Sequence, residues 1–476
     1  MHAECPGYRD PLDQNFRDES ESVVKRAQKS YTILSGGGTT RKKVCKKPQS
    51  EVYLNTIEGF LMEPGQAYTQ SLAYMWLAQP IEDIAVSHFM ATYVPGSHFD
   101  YLPTMYAELS SDTALSATVY AASLATLARN SGQVDLRRSA RCEYIQAILK
   151  TNVALADPIT AIEDSTLVAV LLLSLFEVVA WLGSRTPDSF RTHTRGALAL
   201  IKLRGRQQFF TPVGRQLFVQ VASIISVHSL QKKTPLPQEL LDLIAIAMED
   251  LSECPKYRLA RLTGEVAALI ASIDQGFLTA DEVINAATRL DESYIAYADS
   301  LVHPYLYQEI MVDVPQPGVL GSIVHLYASP RAAGLWNSYR MTRILLNEII
   351  YGYSLCIPPA TANVLQSGAV DNIQEMTTDI CASVPQCVNS AQFVFNTGLL
   401  TFEHRLSSRR SAASMLWPLS VVRSADQASV DIRAYAKERL HYLGREFNIP
   451  QTEGPNMDQD EETAALQDGL HMYYVS

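Results

Sequence analysis

The chain has 476 residues, of which 47% are hydrophobic and 19% charged, and its formal net charge is −11. This composition is typical of an ordered globular protein and argues against disorder over most of the length. Residues 1–50 carry a net charge of +4 and the remainder −15. The acidic body is therefore a poor ligand for nucleic acid, whose phosphates are bound by clustered Lys and Arg side chains.

The N-terminal segment is turn-rich and basic. It has no charged and apolar leader of the secretory kind, and the seven cysteines of the chain are widely scattered, so we expect an intracellular protein in a reducing compartment. A triple glycine at 36–38 precedes a basic cluster, which predicts a flexible linker that serves as a nuclear import signal or a phosphate contact. The alternative is that these basic residues are exposed to solvent and have no binding role. The cluster consists of Arg41, Lys42, Lys43, Lys46 and Lys47.

From about residue 51 to 450 the apolar spacing is that of helices, each ended by Pro or Gly. The first clear helix is predicted to be capped by Asp112 and to end at Gly132. The next is predicted to stop at Pro158. Its expected core stripe is Tyr144, Ile148, Leu149 and Val153.

The longest apolar run, "TLVAVLLLSLFEVVAWLG", covers residues 166–183. It is short for a membrane span and carries Glu177 near its middle, so it predicts a buried core helix, with a membrane helix as the alternative. We expect its core positions to be Leu167, Val170, Leu171, Leu175, Phe176 and Trp181.

Strand-like segments are scarce. "QFVFN" at 392–396 is short, and the proline-rich breaks at 234–238 and 312–318 are interpreted as turns between packed helices. The predicted fold class is all-α, a large multi-helix bundle or an irregular stack of helical hairpins. We expect residues 1–50 to be largely disordered, residues 51–450 to form one helical domain and residues 451–476 to be an acidic polar tail.

The sequence contains no pattern typical of catalysis or metal binding. The histidines lack the spacing of a helical zinc site, no serine lies on a G-x-S-x-G turn, and Cys381 and Cys387 lack redox spacing. We interpret both thiols as small, inert side chains. The sequence therefore predicts neither a catalytic centre nor a metal site, and no enzymatic activity.

The segment "ECPGYRD" and the following "FRDES" resemble the end of the DNA-binding module of fungal transcription factors with a binuclear zinc cluster. In that family six cysteines hold two zinc ions. The resemblance implies that Cys5 corresponds to the sixth ligand and that the other five are absent from this chain. It also implies that zinc is not a cofactor of this chain and that DNA binding requires the missing cluster.

The body resembles the regulatory domain of the same family. The resemblance rests on the order of weak motifs: "HTRGALALIKLRG" at 193–205, "LWNSYRMTRILLNEI" at 335–349, "ICASVPQ" at 380–386 and "LWPLSVV" at 416–422. The positions it singles out are Glu177, His193, Gly196, Arg204, Gly205, Arg340 and Pro418.

These positions also have architectural interpretations. Gly196 would let another helix approach, Gly205 would end its helix in the left-handed conformation, and Pro418 would mark a helix start. Arg204 and Arg340 would pair with acids or with carbonyls at helix ends. Direct contact with a ligand is the less favoured alternative.

The resemblance implies a nuclear regulator of RNA polymerase II transcription. Its expected partners are proteins of the transcription machinery or a second copy of the chain, with a small-molecule effector as a further ligand and no membrane. The alternative is a cytoplasmic α-helical scaffold that never contacts DNA, in which the N-terminal basic segment would have no role. An enzyme with a pocket between apolar helices is the third hypothesis.

Overall fold

Residues at the ends of the apolar segments determine where the helices begin and stop. The computed structural model describes residues 79–95, 97–108, 112–180, 188–251, 254–312, 318–388 and 414–447. Residues 1–50 and 451–476, the segment 392–396 and Trp181 lie outside this part of the chain. The predictions made for them are therefore not addressed by the structure.

In the first half of the described chain the only regular elements are helices. Thr113 caps the third helix through a capping box with Ser116, and Gly132, at φ 69°, ends it. A 3₁₀ turn at Gly205–Phe209 follows the seventh helix. The helices are α1 Ile81–Thr92, α2 Leu102–Ala107, α3 Ala114–Ser131, α4 Val134–Ala156, α5 Pro158–Ala161, α6 Asp164–Ala180, α7 Asp188–Arg204, α8 Pro212–Lys232 and α9 Gln238–Leu251.

The second half adds six helices and a β-hairpin within the described residues. Ser329 caps α12, whose first residue is Pro330. The elements are α10 Pro255–Asp274, α11 Ala280–Asp299, β1 Tyr307–Met311, β2 Ile323–Tyr327, α12 Pro330–Ser354, α13 Pro359–Val388, α14 Leu416–Ser424 and α15 Val430–Phe447. The predicted all-α fold class is confirmed, because the hairpin is a minor addition to a multi-helix protein.

The hairpin corrects one interpretation of the sequence. Residues 312–318 connect two antiparallel strands and not two helices, with Tyr307 opposite Tyr327 and Glu309 opposite His325. Strand β2 packs against α13 and α12. Two five-residue strands carry too short an alternation to stand out from their helical surroundings.

Two buried clusters form the interior. The first is built around α6, which packs against α3, α4 and α7. Leu167, Val170, Leu171, Leu175 and Phe176 are all buried there, as predicted. The second is built around the α12–α13 pair, with α11, α14 and α15. Helix α10 belongs to both clusters, since Ala267 lies in the first and the adjacent Val266 in the second.

Two predictions about α3 and α4 were wrong. Asp112 does not cap α3; its carboxylate pairs with Lys150 of α4 at 2.6 Å, while Thr113 provides the cap. Leu149 and Val153 are exposed, because the buried side of α4 is shifted round the helix. The buried residues of α4 are Leu136, Ala140, Tyr144, Ala147 and Thr151.

Candidate functional site

A buried arginine lies where the hairpin meets the second helical cluster. Arg340 of α12 has no solvent exposure. On a helix, residues three and four apart share a face, so Trp336 and Asn337 lie on the same side of α12 as Arg340. Residues Asp379 and Ser383 of α13, also four apart, complete the helical side of this site, and β1 and β2 cover it. We call this group, with His325 and Tyr327 of β2, the Arg340 cluster.

The guanidinium group of Arg340 contacts side chains from four elements. Nη1 donates to the Tyr327 hydroxyl at 2.6 Å and to Asn337 Oδ1 at 3.3 Å. Nη2 lies 3.2 Å from His325 Nδ1 and 3.3 Å from Asp379 Oδ2. The carbon of the guanidinium also lies 5.0 Å from the ring centre of Tyr307 in β1. These contacts connect the hairpin to both α12 and α13.

The geometry determines the tautomer of His325. Because a guanidinium can only donate hydrogen bonds, His325 Nδ1 accepts and its proton is on Nε2. Nε2 lies 3.8 Å from Glu309 Oε1 and 3.9 Å from Asp379 Oδ1. Burial and the charge of Arg340 lower the pKa of His325 to about 3, so the imidazole is neutral at physiological pH.

Burial and neighbouring charges also shift the pKa values of Asp379 and Arg340. Burial raises the pKa of Asp379, against the opposing effect of Arg340. Burial alone would lower the pKa of Arg340, but Tyr327 and Asp379 raise it above its ordinary value. The cluster thus places an arginine–aspartate pair beside a neutral histidine, an arrangement that fixes the position of the hairpin.

Gln386 of α13 extends the attachment of the hairpin. Its side-chain Oε1 accepts from the Tyr327 backbone N–H at 2.8 Å, and its Nε2 donates to the Tyr327 carbonyl at 3.0 Å. The amide thus takes the place of a neighbouring strand at the end of β2. This residue lies at the end of the "ICASVPQ" motif.

A second buried ion pair, which the sequence analysis missed, lies one turn further along α12. Arg343 Nε and Nη2 donate to the two carboxylate oxygens of Asp291 in α11 at 2.7 and 2.8 Å. Asn347 Nδ2 donates to Asp291 Oδ1 at 3.1 Å. The sequence signal for this pair is the spacing of Arg340, Arg343 and Asn347, three and four residues apart, which places their side chains on one face of the helix.

Two of the singled-out residues, Glu177 and His193, meet in the first cluster through Tyr144 of α4. The Tyr144 hydroxyl donates to the Glu177 carboxylate and lies 3.0 Å from His193 Nε2. Since the single phenolic proton goes to the carboxylate, His193 Nε2 is the donor of the second bond. Burial lowers the pKa of His193 to about 4, and burial followed by the charge of Glu177 raises that of Tyr144. The triad joins α4, α6 and α7.

The other singled-out positions of α7 act at its C-terminal end. Arg204 forms an ion pair with Asp164, in the first turn of α6, which agrees with the expectation of an acidic partner. Gly205 has φ 54°, the left-handed conformation expected where the helix ends. Gly196 faces α6, but an added methyl group would lie 4.0 Å from Val170 Cγ1, an ordinary contact. Close approach therefore does not require glycine there.

The remaining sequence-based candidates are Pro418, the two cysteines of α13 and the N-terminal residues. Pro418 is buried in the first turn of α14, where it marks the helix start as expected. Burial raises the pKa values of Cys381 and Cys387 to about 12, so both thiols are protonated and inert. Cys5 and the basic cluster at 41–47 lie outside the described residues.

Two kinds of site have no counterpart in the described part of the chain. Among those residues, no group of three or more His, Cys, Asp or Glu side chains is arranged to hold a metal ion. No described helix combines the length and apolar character that crossing a bilayer requires.

Comparison with known proteins gives one informative result. No curated protein and no solved structure matches the chain. The family model described as the fungal specific transcription factor domain matches residues 85–242, which run from α1 into α9 and supply most of the first buried cluster.

Proposed function

We propose that this chain regulates RNA polymerase II transcription in the nucleus, as the regulatory part of a fungal zinc-cluster transcription factor. The observation that carries the proposal is the match of residues 85–242 to the fungal specific transcription factor domain. The helical fold supports it, because the matched residues form a continuous packed core around α6.

The N-terminal sequence supports the nuclear assignment. Five basic residues at 41–47 follow a glycine linker, a composition typical of import signals and of weak phosphate contacts. The acidic body does not favour nucleic acid, so we propose that proteins of the transcription machinery bind it and that a small-molecule effector modulates it. No catalytic step is part of the proposal.

Zinc and specific DNA recognition are proposed to depend on cysteines that this chain lacks. One cysteine cannot replace six, and Cys45, forty residues after Cys5, is too distant to restore a compact cluster. The purified chain should therefore contain no stoichiometric zinc by elemental analysis. A molar equivalent of zinc that is lost when Cys5 is replaced by Ser would contradict this part of the proposal.

The regulatory role is tested by tethering. The full chain is fused to an unrelated DNA-binding module and expressed in fungal cells that carry a polymerase II reporter with the matching sites. We expect the reporter transcript to change at least several-fold relative to the module alone. The Leu171→Asp variant, in which the first core is disrupted, should lose the effect.

Localisation is tested with the basic cluster. Replacement of Arg41, Lys42, Lys43, Lys46 and Lys47 by Gln should shift the fluorescently tagged chain from nucleus to cytoplasm. The matched control replaces Lys25, Arg26 and Lys29, which lie in the same basic segment, and should leave localisation unchanged. A cytoplasmic wild-type chain with no effect on the tethered reporter would favour the helical scaffold instead.

A further inference from the structure

Strand β1 is the outer strand of the hairpin and presents an edge to solvent. Strand β2 packs against α13 and α12, and β1 pairs with β2 on its far side. Met311 is 80% exposed and the side chain of Glu309 60%. The five residues of β1 pair one to one with β2 and include no proline. Bulges and prolines, which often protect such an edge, are therefore absent from this strand.

The register of the hairpin determines which backbone groups of β1 point outward. In an antiparallel pair, opposite residues alternate between those that exchange hydrogen bonds and those whose N–H and C=O groups point away from the partner strand. Val312 N donates to Ser322 O at 2.8 Å, so the even-numbered residues of β1 exchange bonds with β2. The outward groups belong to Tyr307, Glu309 and Met311. No hydrogen bond joins these groups to another described residue.

The other edge of the hairpin shows what such groups bind. Tyr327 of β2 lies opposite Tyr307 and is in the same alternating set. Its outward N–H and C=O groups bond the side-chain amide of Gln386. The edge of β1 has no such amide within the described residues. Donors and acceptors that alternate at strand spacing are complementary to the backbone of an extended peptide.

The side chains beside this edge favour a basic peptide. Glu309 lies 3.8 Å from the neutral His325, and Glu375 of α13 is exposed. Burial and then the charges of Glu375 and Glu309 raise the pKa of Asp379, so the three carboxylates lie near one another. Arg340 pairs with Asp379, whereas the other two have no Lys or Arg partner among the described residues. Two negative charges are therefore uncompensated beside β1.

We propose that the outer edge of β1 binds an extended basic peptide of a partner protein by strand addition. In the added strand, a Lys or Arg lies opposite Glu309, with Cβ atoms about 5 Å apart. An apolar residue two positions away lies on the same face and covers Met311. The backbone bonds provide affinity and the charge provides specificity. The inference does not depend on the proposed transcriptional role.

The first test is peptide binding to the full chain. The probe is a fluorescent nine-residue peptide in which Val and Thr alternate around a central Lys, so that the nearest valines lie two residues from it. Its anisotropy should report binding about tenfold tighter than that of the same peptide with a central Glu, because Glu309 repels a like charge. N-methylation of the Lys and its two nearest valines should abolish binding, since it removes the N–H groups that face β1.

Charge reversal provides the matched pair of variants for this test. Glu309→Lys should reverse the preference between the two peptides. Glu292→Lys, at an exposed acid of α11, should keep the preference of the wild type. Equal affinity of the wild type for both peptides, or no binding of the Lys peptide, would overturn the inference.

The second test locates the peptide on β1 by residue-resolved amide hydrogen exchange. In the free chain the outward amides of Glu309 and Met311 should exchange quickly, whereas that of Ile310, which bonds to β2, should exchange slowly. The Lys peptide should slow exchange at Glu309 and Met311. Slow exchange at these two amides in the free chain would mean that another segment already covers the edge, and it would contradict the proposal.

Two substitutions of one residue separate backbone pairing from charge. Glu309→Pro removes an outward N–H and leaves the bonds to β2 in place, since proline is compatible with an edge position whose N–H faces solvent. Glu309→Gln removes only the charge. The Pro variant should lose binding of the Lys peptide, and the Gln variant should bind both peptides equally. Undiminished binding by Glu309→Pro, or an unchanged charge preference in Glu309→Gln, would show that the peptide does not pair with β1 as proposed.

Discussion

At the scale of single residues, Arg340 places a charge in the interior of the second half of the chain. It has no solvent exposure, and its neighbours from β2, α12 and α13 are arranged to accept its hydrogen bonds. Removing a buried charge leaves its partners desolvated and unpaired, which costs more than the intact pair contributes. The residue thus connects elements that are distant in sequence.

We therefore expect Arg340→Met to destabilise the protein by about 3 kcal/mol. The loss would come from the partly buried Asp379 and the buried Tyr327, which would be left without their donor. Urea denaturation measures it, with Arg289→Met as the control at an exposed arginine of α11. Equal stabilities of the two variants would show that the Arg340 cluster does not hold the hairpin.

The environment of Glu348 in α12 predicts that the stability of the protein depends on pH. Burial, and then the charge of Asp426, raise its pKa to about 7. The folded state therefore favours the protonated form, and its contribution to stability is present below about pH 4.5 and is lost as pH rises to about 7.

The variant Glu348→Gln, which stays neutral, should be more stable than the wild type at pH 8 by roughly 1–2 kcal/mol, after allowance for partial exposure. At pH 4 the two proteins should be equally stable. Melting curves at both pH values decide this, and the exposed Glu292 supplies the control variant Glu292→Gln. A constant difference across pH would mean that Glu348 does not titrate as proposed.

At the scale of elements, α6 is the centre of the first cluster. Its predicted core residues are buried against α3, α4 and α7. An unpaired carboxylate in this interior costs several kcal/mol, so Leu171→Asp should unfold the matched region. Circular dichroism and melting would show it, and Leu203→Asp, at an exposed position of α7, should melt like the wild type. Unchanged melting of Leu171→Asp would show that α6 is peripheral to stability.

Glycines offer a matched comparison on two neighbouring helices. A methyl group on Gly214, in the first turn of α8, would lie 2.2 Å from the Gln208 carbonyl oxygen, whereas one on Gly196 would make only ordinary contact. Gly214→Ala should thus cost about 2–3 kcal/mol, while Gly196→Ala should be neutral or stabilising by up to about 1 kcal/mol. The reverse order in a denaturation experiment would contradict the packing described for α7 and α8.

At the scale of the whole molecule, the two buried clusters are joined by α10. Val266 faces the second cluster and Ala267 the first. An ion pair between Arg331 of α12 and Asp100, in the α1–α2 connection, adds a contact between the halves. Residues 85–242, which match the family model, therefore do not stand apart from the rest of the described chain.

Coupling between the clusters is testable by hydrogen exchange. Val266→Asp would place a charge at the junction and displace α10 from both sides. We expect faster amide exchange in α6 as well as in α13. Exchange that rises only in α12 and α13 would show that the two clusters unfold independently.

The sequence by itself determined the helical class, a few helix ends such as those at Gly132 and Gly205, and the core role of α6, because apolar periodicity and glycine stops are local signals. It also singled out Glu177, His193, Arg204 and Arg340 without their partners. Tertiary structure alone decided those partners, since Tyr144 is 33 residues from Glu177 and 49 from His193. It likewise decided that Leu149 faces solvent and that 312–318 joins two strands. Such outcomes depend on which residues that are distant in sequence pack together, and local periodicity does not encode these contacts.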